Sequence, residues 1–345
     1  MLKKGNKYGL HRVIEPEGVL PQTADKIDNN MEIYDNEILI DVQTLNIDSA
    51  SFTQIKNETD GDEEKIKKKM KEIVAVKGKH QNPVTGSGGM LIGKVNKIGK
   101  ALTDTDLRVG DRIATLVSLS LTPLKITKIT AIRKEIDQVD IEGQAILFES
   151  GLYAKLPDDM EDTLALAVLD VAGAAAQTAR LVNPGDTVLI IGAGGKSAVL
   201  CLHEARKRAG ITGKVIALCY NQEKCHLVDS LGLADVIIEG DATRPVEILK
   251  KIEEVTDGEL CDLVINNVNV PNTEMSSILA AKDRGKIYFF SMATSFTKAA
   301  LGAEGIGKDV EMIIGNGYCK GHAAMSLEIL RENKKIRDLY TTLYT

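Results

Sequence analysis

The sequence holds no tryptophan, 4% aromatic residues, five histidines and five cysteines among 345 residues. The histidines (His11, His80, His203, His226, His322) are scattered, and Cys201, Cys219, Cys225, Cys261 and Cys319 include no Cys-x-x-Cys pair. That spacing excludes a zinc finger or ribbon. An odd cysteine count, with no apolar leader behind the basic start, points to reduced thiols and a cytoplasmic location. Positive charge is also in deficit. The formal net charge of −6 gives no general attraction to nucleic acid or to an anionic membrane. The basic run at 65–71 is flanked by Asp62, Glu63, Glu64 and Glu72, which reads as a solvated helix face. No apolar run approaches the ~20 residues that a membrane helix needs.

What is present divides into two grammars, as the length leads one to expect. From about residue 184, short apolar runs at 187–191, 214–220, 235–239, 262–266, 286–291 and 311–315 alternate with helical patterns at 196–209, 222–231, 245–255 and 273–281. Near-continuous apolar strands between helices predict a doubly wound parallel sheet. Before residue 155, strand-like runs at 37–42, 90–98 and 112–117 lie between Gly, Asp and Pro turns, which predicts an antiparallel β domain. Within it the charged segment 56–80 places Ile66, Met70, Ile73 and Val74 on one helical face, an expected helical insertion. A small-residue helix over 164–182 is expected to link the halves. The expected domains are 1–160 and 161–330, followed by a C-terminal segment, 331–345.

The stretch VLIIGAGGKS, residues 188–197, ends like a phosphate-binding P-loop. The first glycine of that motif would fall on Ile190, inside the strand, and the apolar run at 263–265 ends in Asn266 and Asn267 instead of an acidic residue. A dinucleotide-binding turn fits instead. Gly192 permits the tight turn, Gly194 permits close approach of a pyrophosphate, and Gly195, Lys196 and Ser197 open the helix, with Ser197 at the third glycine's place. At the end of the second strand Cys219 stands where an acidic residue would hold both ribose hydroxyls. A 2′-phosphate meets no repulsion there, and Tyr220, Asn221 and Lys224 are candidates to contact it. NADP(H) is therefore the expected cofactor, with NAD(H) accepted beside it as the open alternative. Asn267, Val268 and Asn269 follow the fourth strand at its carboxyl edge and are candidates for the nicotinamide ribose, as is Ser291 after the fifth.

The N-terminal β domain, the VGDR turn at 109–112, the linking helix and the glycine turn together resemble the medium-chain dehydrogenase/reductase superfamily. That resemblance implies an α/β fold with a GroES-like β-rich catalytic domain and a Rossmann domain, usually in dimers or tetramers; a homodimer is expected. Longer strings resemble more narrowly a zinc-free branch of it, the 3,5-diaminohexanoate dehydrogenases. They are YDNEILIDV (34–42), LNIDSASFTQI (45–55), NPVTGSGGMLIG (82–93), NVNVPNTEMSSI (267–278) and YFFSMATSFTKAALG (288–302). The implied reaction is NAD(P)-dependent oxidative deamination of (3S,5S)-3,5-diaminohexanoate to 5-amino-3-oxohexanoate and ammonia, in lysine fermentation. The implied partner is a small diamino acid, with neither nucleic acid nor membrane.

Against the zinc alcohol dehydrogenases of the superfamily, the ligand positions fall on Asn46, Ser87 and near Ala167, so no metal is expected. Asn46 and Ser87 are expected to meet substrate instead. The chemistry agrees with that exchange. Alcohol oxidation builds an alkoxide, which a cation stabilises. Amine oxidation builds an iminium, which a carboxylate stabilises and whose ammonium precursor it can deprotonate. Asp48 lies at the position of the proton-relay hydroxyl and Asp170 on the linking helix; both are candidate catalytic groups, although Asp48 could equally cap a helix starting at Ser49. A zinc-free quinone or enone reductase and a non-catalytic NADPH-binding protein are the rival readings.

Overall fold

The computed structural model describes residues 3–291, 293–315 and 317–345 and separates into two compact units, Met1–Leu166 with Tyr344–Thr345, and Ala167–Leu343. In the first, β1 (Val13–Glu15) and β2 (Lys26–Ile27) form a small ribbon. The main sheet contains β3 (Glu37–Asn46), β4 (Met90–Ile98), β5 (Arg112–Thr115), β6 (Leu124–Arg133), β7 (Gln138–Phe148) and β8 (Tyr153–Lys155), antiparallel in the order β6-β7-β3-β4-β5-β8. Ile38, Ile40, Val42 and Leu45 of β3 lie in its core. The β6–β7 hairpin is absent from the strands read in the sequence because lysines and threonines interrupt any apolar alternation along β6.

Two helices fill 49–77, the one expected within 56–80 and, ahead of it, the one that Asp48 could cap. Asp60 (φ 52°) and Gly61 (φ 70°) are both left-handed, which ends α1 (Ser49–Glu58) before α2 (Glu63–Lys77) begins. The Asp62 side chain caps α2 by accepting from Lys65 N–H at 2.9 Å, and Ile66, Met70, Ile73 and Val74 are buried along one face. The expected linking helix is likewise two, α3 (Asp162–Leu169) and α4 (Ala172–Leu181).

In the second unit β9 (Thr187–Ile191), β10 (Lys214–Cys219), β11 (Val236–Glu239), β12 (Cys261–Asn266), β13 (Ala281–Phe289) and β14 (Glu311–Ile314) form a parallel sheet in the order β11-β10-β9-β12-β13-β14. That is the doubly wound order whose direction reverses between β9 and β12, where such sheets bind nucleotides at the strands' carboxyl ends. The connections run through α5 (Lys196–Ala209), α6 (Gln222–Leu231), α7 (Pro245–Val255), α8 (Glu274–Ala280) and α9 (Phe296–Gly305). Two helices complete the chain, α10 (His322–Glu332) and α11 (Lys334–Tyr344). Among the described residues no single helix is long and apolar enough to cross a membrane.

The start of β3 is fixed by a buried ion pair. Arg12 donates to both carboxylate oxygens of Glu37 at 2.7 Å, His11 lies 2.8 Å from Oε1, and Tyr34 N–H donates to Oε2 at 2.9 Å. Burial alone would push the Glu37 carboxyl up; the hydrogen bonds and the Arg12 charge overcome it and hold it down at about 2. A depressed carboxyl stabilises the fold fully above its unfolded value and loses that contribution as pH falls through its folded value. Glu37→Gln removes the buried carboxylate from a guanidinium only 1% exposed, leaving it the Asn30 and Glu32 carbonyls, and should cost about 3–5 kcal/mol in urea unfolding followed by circular dichroism. The gap from wild type should close between about pH 4.5 and about pH 2; a gap independent of pH over that window would contradict it.

Candidate active-site residues in the two units

In the β-rich unit, strand alternation sets out the candidate residues. Leu45 and Ile47 enter the core, so Thr44, Asn46 and Asp48 line up on the other side, half-buried. Asp48 occupies the N-cap position of α1 with extended backbone, φ −56° and ψ 133°. Its Oδ2 also accepts from Gly88 N–H, at 2.9 Å, so the carboxylate is anchored from a second segment. That segment has no spare room. A Cβ on Gly88 would come within 2.6 Å of Ser120 N and 2.7 Å of the His80 carbonyl, and Gly89 at φ +102° would strike the Asn46 carbonyl.

Beside Gly88, Ser87 belongs to a hydroxyl triangle. Ser51 Oγ lies 2.5 Å from Ser87 Oγ and 2.6 Å from Thr85 Oγ1, and Thr85 and Ser87 are 3.1 Å apart. Asn82 holds the loop to α1: its amide donates to the Ser51 carbonyl and to Gln54 Oε1, and its Oδ1 accepts from Val84 and Thr85 N–H. His80 is fully buried with both ring nitrogens unpartnered among the described residues. Burial pushes its imidazole down to about 4, so it is neutral at physiological pH. Asn46 Oδ1 accepts weakly from Gln138 Nε2, at 3.4 Å. A carboxylate fixed by an amide N–H among neutral hydroxyls is suited to hold an ammonium group and to take its proton.

In the other unit, the glycine turn gathers the candidate cofactor residues. Gly192 has φ +80°, and a Cβ there would lie 2.8 Å from Val268 Cγ2. At Gly194 a Cβ would lie 2.8 Å from both Cβ and Cδ of Lys224, so the lysine's aliphatic stem covers the turn. Gly195 is the N-cap of α5, and Ser197 is buried in its first turn. Tyr220 is 71% exposed, whereas Asn221 spends its side chain capping α6 through Lys224 N–H at 3.0 Å. Cys219 ends β10, its thiol pushed up by burial and by the neighbouring Cys225, so this ribose position carries no charge. Asp170 lies in the break between α3 and α4 and forms an ion pair with Lys196, Nζ to Oδ2 2.8 Å. That pair ties Asp170 to the first residue of α5, at the end of the glycine turn.

At the carboxyl ends of β12 and β13, Asn267 Nδ2 and Thr294 Oγ1 are buried without partners among the described residues. Buried polar atoms left unpaired cost roughly 1–3 kcal/mol each, which a polar ligand group recovers. Ser291 is buried and accepts from Ala293 N–H at 3.0 Å; Asn269 is exposed. The glycine cradle, the lysines at its rim and these two orphan atoms fit a dinucleotide with a nicotinamide end. Sequence reasoning missed Ser51, Thr85, Asn82 and Thr294. Only Asn82, before Pro83 and ahead of a glycine-rich turn, carried a local signal of its role. Among the described residues no three His, Cys, Asp or Glu side chains gather as metal ligands.

Comparison with known proteins agrees with this geometry. Residues 11–157 match the family model of the L-erythro-3,5-diaminohexanoate dehydrogenase N-terminal domain, and residues 200–306 match the zinc-binding dehydrogenase model. The chain is 61% identical over 342 residues to the L-erythro-3,5-diaminohexanoate dehydrogenase of Acetoanaerobium sticklandii, covering 99% of each. It is 60% identical to the enzyme of the same name from Fusobacterium nucleatum subsp. nucleatum, covering 99% of this chain and 100% of that one. Among solved structures, a mycobacterial protein complexed with NADPH superposes with a TM-score of 0.58 at 17% identity, over 96% of this chain and 95% of that one. The CurK enoyl reductase gives 0.56 at 17% identity, over 93% and 86%. These two establish the GroES-like and Rossmann folds of the units. By sequence identity over its whole length, the chain belongs to the L-erythro-3,5-diaminohexanoate dehydrogenase family, within the medium-chain dehydrogenase/reductase superfamily.

Proposed function

We propose that this enzyme oxidatively deaminates (3S,5S)-3,5-diaminohexanoate at carbon 3, giving 5-amino-3-oxohexanoate and ammonia, with Asp48 as its base. The observation that carries this reading is the anchored Asp48 carboxylate at a position where alcohol-oxidising relatives use a hydroxyl. The amine arrives as an ammonium ion, whose nitrogen has no lone pair to expel a hydride. Asp48 takes the proton, and Gly88 N–H keeps the carboxylate oriented. A bound nicotinamide supplies the hydride acceptor. As positive charge grows on nitrogen the aspartate stabilises it, and Ser51, Thr85 and Ser87 orient the water that hydrolyses the C=N bond. Asn46 contacts the substrate beside them. Asp170 acts through Lys196 as a positioning residue for the pyrophosphate.

NADP(H) is the proposed cofactor, accepted at least as well as NAD(H), with Lys224 and Tyr220 toward the 2′-phosphate. The proposed assembly is a homodimer across β14, which among the described residues pairs only with β13 and leaves Ile314 58% exposed. All five cysteines are free, four of them buried, which suits a reducing cytoplasm.

Asp48→Asn keeps the shape and removes charge and basicity. Turnover should fall on the order of 10²–10⁴-fold, with NADPH affinity in fluorescence titration within two-fold of wild type. Near-normal turnover with a lowered melting temperature would make Asp48 a helix cap only. Lys224→Met keeps the stem over Gly194 and deletes the ammonium; it should raise KM for NADP⁺ more than for NAD⁺, and equal effects would remove Lys224 from cofactor choice. Ile314→Lys should give a 37.4 kDa monomer by sedimentation where the wild type gives a dimer; an unchanged dimer would place the interface elsewhere.

A further inference from the structure

A second polar cavity, of about 340 Å³, opens within the β-rich unit on the face of β3 that carries Asn46. Thr44, Arg133, Gln138, Asp140 and Asp162 line it. The register explains the gathering: Thr44 faces Asp140, Asn46 faces Gln138, and Gln138 faces Arg133 on its other side. Asp140 Oδ1 accepts from Thr44 Oγ1 at 2.7 Å and from Arg133 Nη2; Asp162 Oδ1 accepts from Arg112 Nη2. Oδ2 of each carboxylate has no partner among the described residues. Gln138 is 3% exposed, and its Oε1 is buried without a partner.

The unmet groups have one polarity. They are three acceptors, one of them shut away from solvent. A carboxylate brings no donor to such an atom, whereas an ammonium brings three. Arg133 has donors to spare, but its side chain is 38% exposed and water satisfies them. The buried acceptor is the one that only a ligand can satisfy. Gln138 lies opposite Asn46, two residues along the extended chain from Asp48. Gln138 Nε2 also donates to Asn46 Oδ1 at 3.4 Å, so the cavity adjoins the residue expected to meet substrate beside Asp48.

We propose that Gln138, with Asp140 and Asp162, binds the non-reacting C5 ammonium of the substrate and so makes the enzyme specific for 3,5-diamino acids over simple 3-amino acids. This rests on the deamination proposed above. Gln138 determines specificity here and takes no part in the bond changes.

The test compares kcat/KM for 3,5-diaminohexanoate and for 3-aminohexanoate, which lacks only the second amine, in wild type, Gln138→Leu and Gln138→Glu. A hydrogen-bonding site that the analogue leaves empty discriminates by up to 10⁴–10⁵ when fully enclosed; in this open cavity the wild type should favour the diamine by on the order of 10²-fold or more. Gln138→Leu should cut that ratio at least ten-fold, and Gln138→Glu, which restores an acceptor, should retain it. The assignment is overturned if Gln138→Leu keeps the ratio, or if Leu and Glu lower it alike, since either result makes the side chain structural or places the carboxylate there. A wild type that oxidises neither amine but reduces enones would overturn the deamination reading itself, and the C5 site with it.

Discussion

β3 is hydrogen-bonded along both edges, to β7 and to β4, and the period-two pleat of that one strand organises the β-rich unit. Apolar residues on one face fix the core, so the residues between them have no choice but the other face. A slip of one position would bury Thr44, Asn46 and Asp48 and expose Leu45 and Ile47. The register is pinned at one end by the Arg12–Glu37 pair and at the other by the Gly89 approach to Asn46. The chemistry of Asp48 therefore depends on hydrophobic burial that occurs beside it rather than at it.

The polar residues near Asp48 and the glycine turn follow one electrostatic rule. In the proposed reaction the positive charge of the substrate meets acceptors: Asp48, the hydroxyls of Ser51, Thr85 and Ser87, and the buried Gln138 carbonyl. For the negative charge of the proposed cofactor there are amides at a helix start, Lys196 and Lys224, with Cys219 in place of the usual acid. His80 conforms to the rule by staying neutral, since a charged imidazole behind Gly88 would compete with an incoming ammonium for Asp48.

Much of this was legible in the sequence, for reasons that differ by residue. The parallel strands declared themselves because both faces are buried and their apolar runs are uninterrupted. The glycine turn was legible because only glycine serves at Gly192 and Gly194. The β6–β7 hairpin was not, since its exposed face dilutes the alternation. The break before α2 did carry a local signal, the Asp60-Gly61 pair ahead of the Asp62 cap, which the helical periodicity around it overshadowed. The ion pair of Asp170 shows the limit most clearly: its partner, Lys196, is 26 positions away, and a pairing of that range is written in the fold alone.

The stem of Lys224 lying over Gly194 carries an evolutionary implication. Any side chain at 194 must first displace the lysine, and loss of the lysine uncovers the turn. Substitutions at the two positions are therefore coupled through that contact. A lineage changing its cofactor preference here would have to alter residue 224 before residue 194, because the reverse order passes through an intermediate in which the turn and the cation are both misplaced.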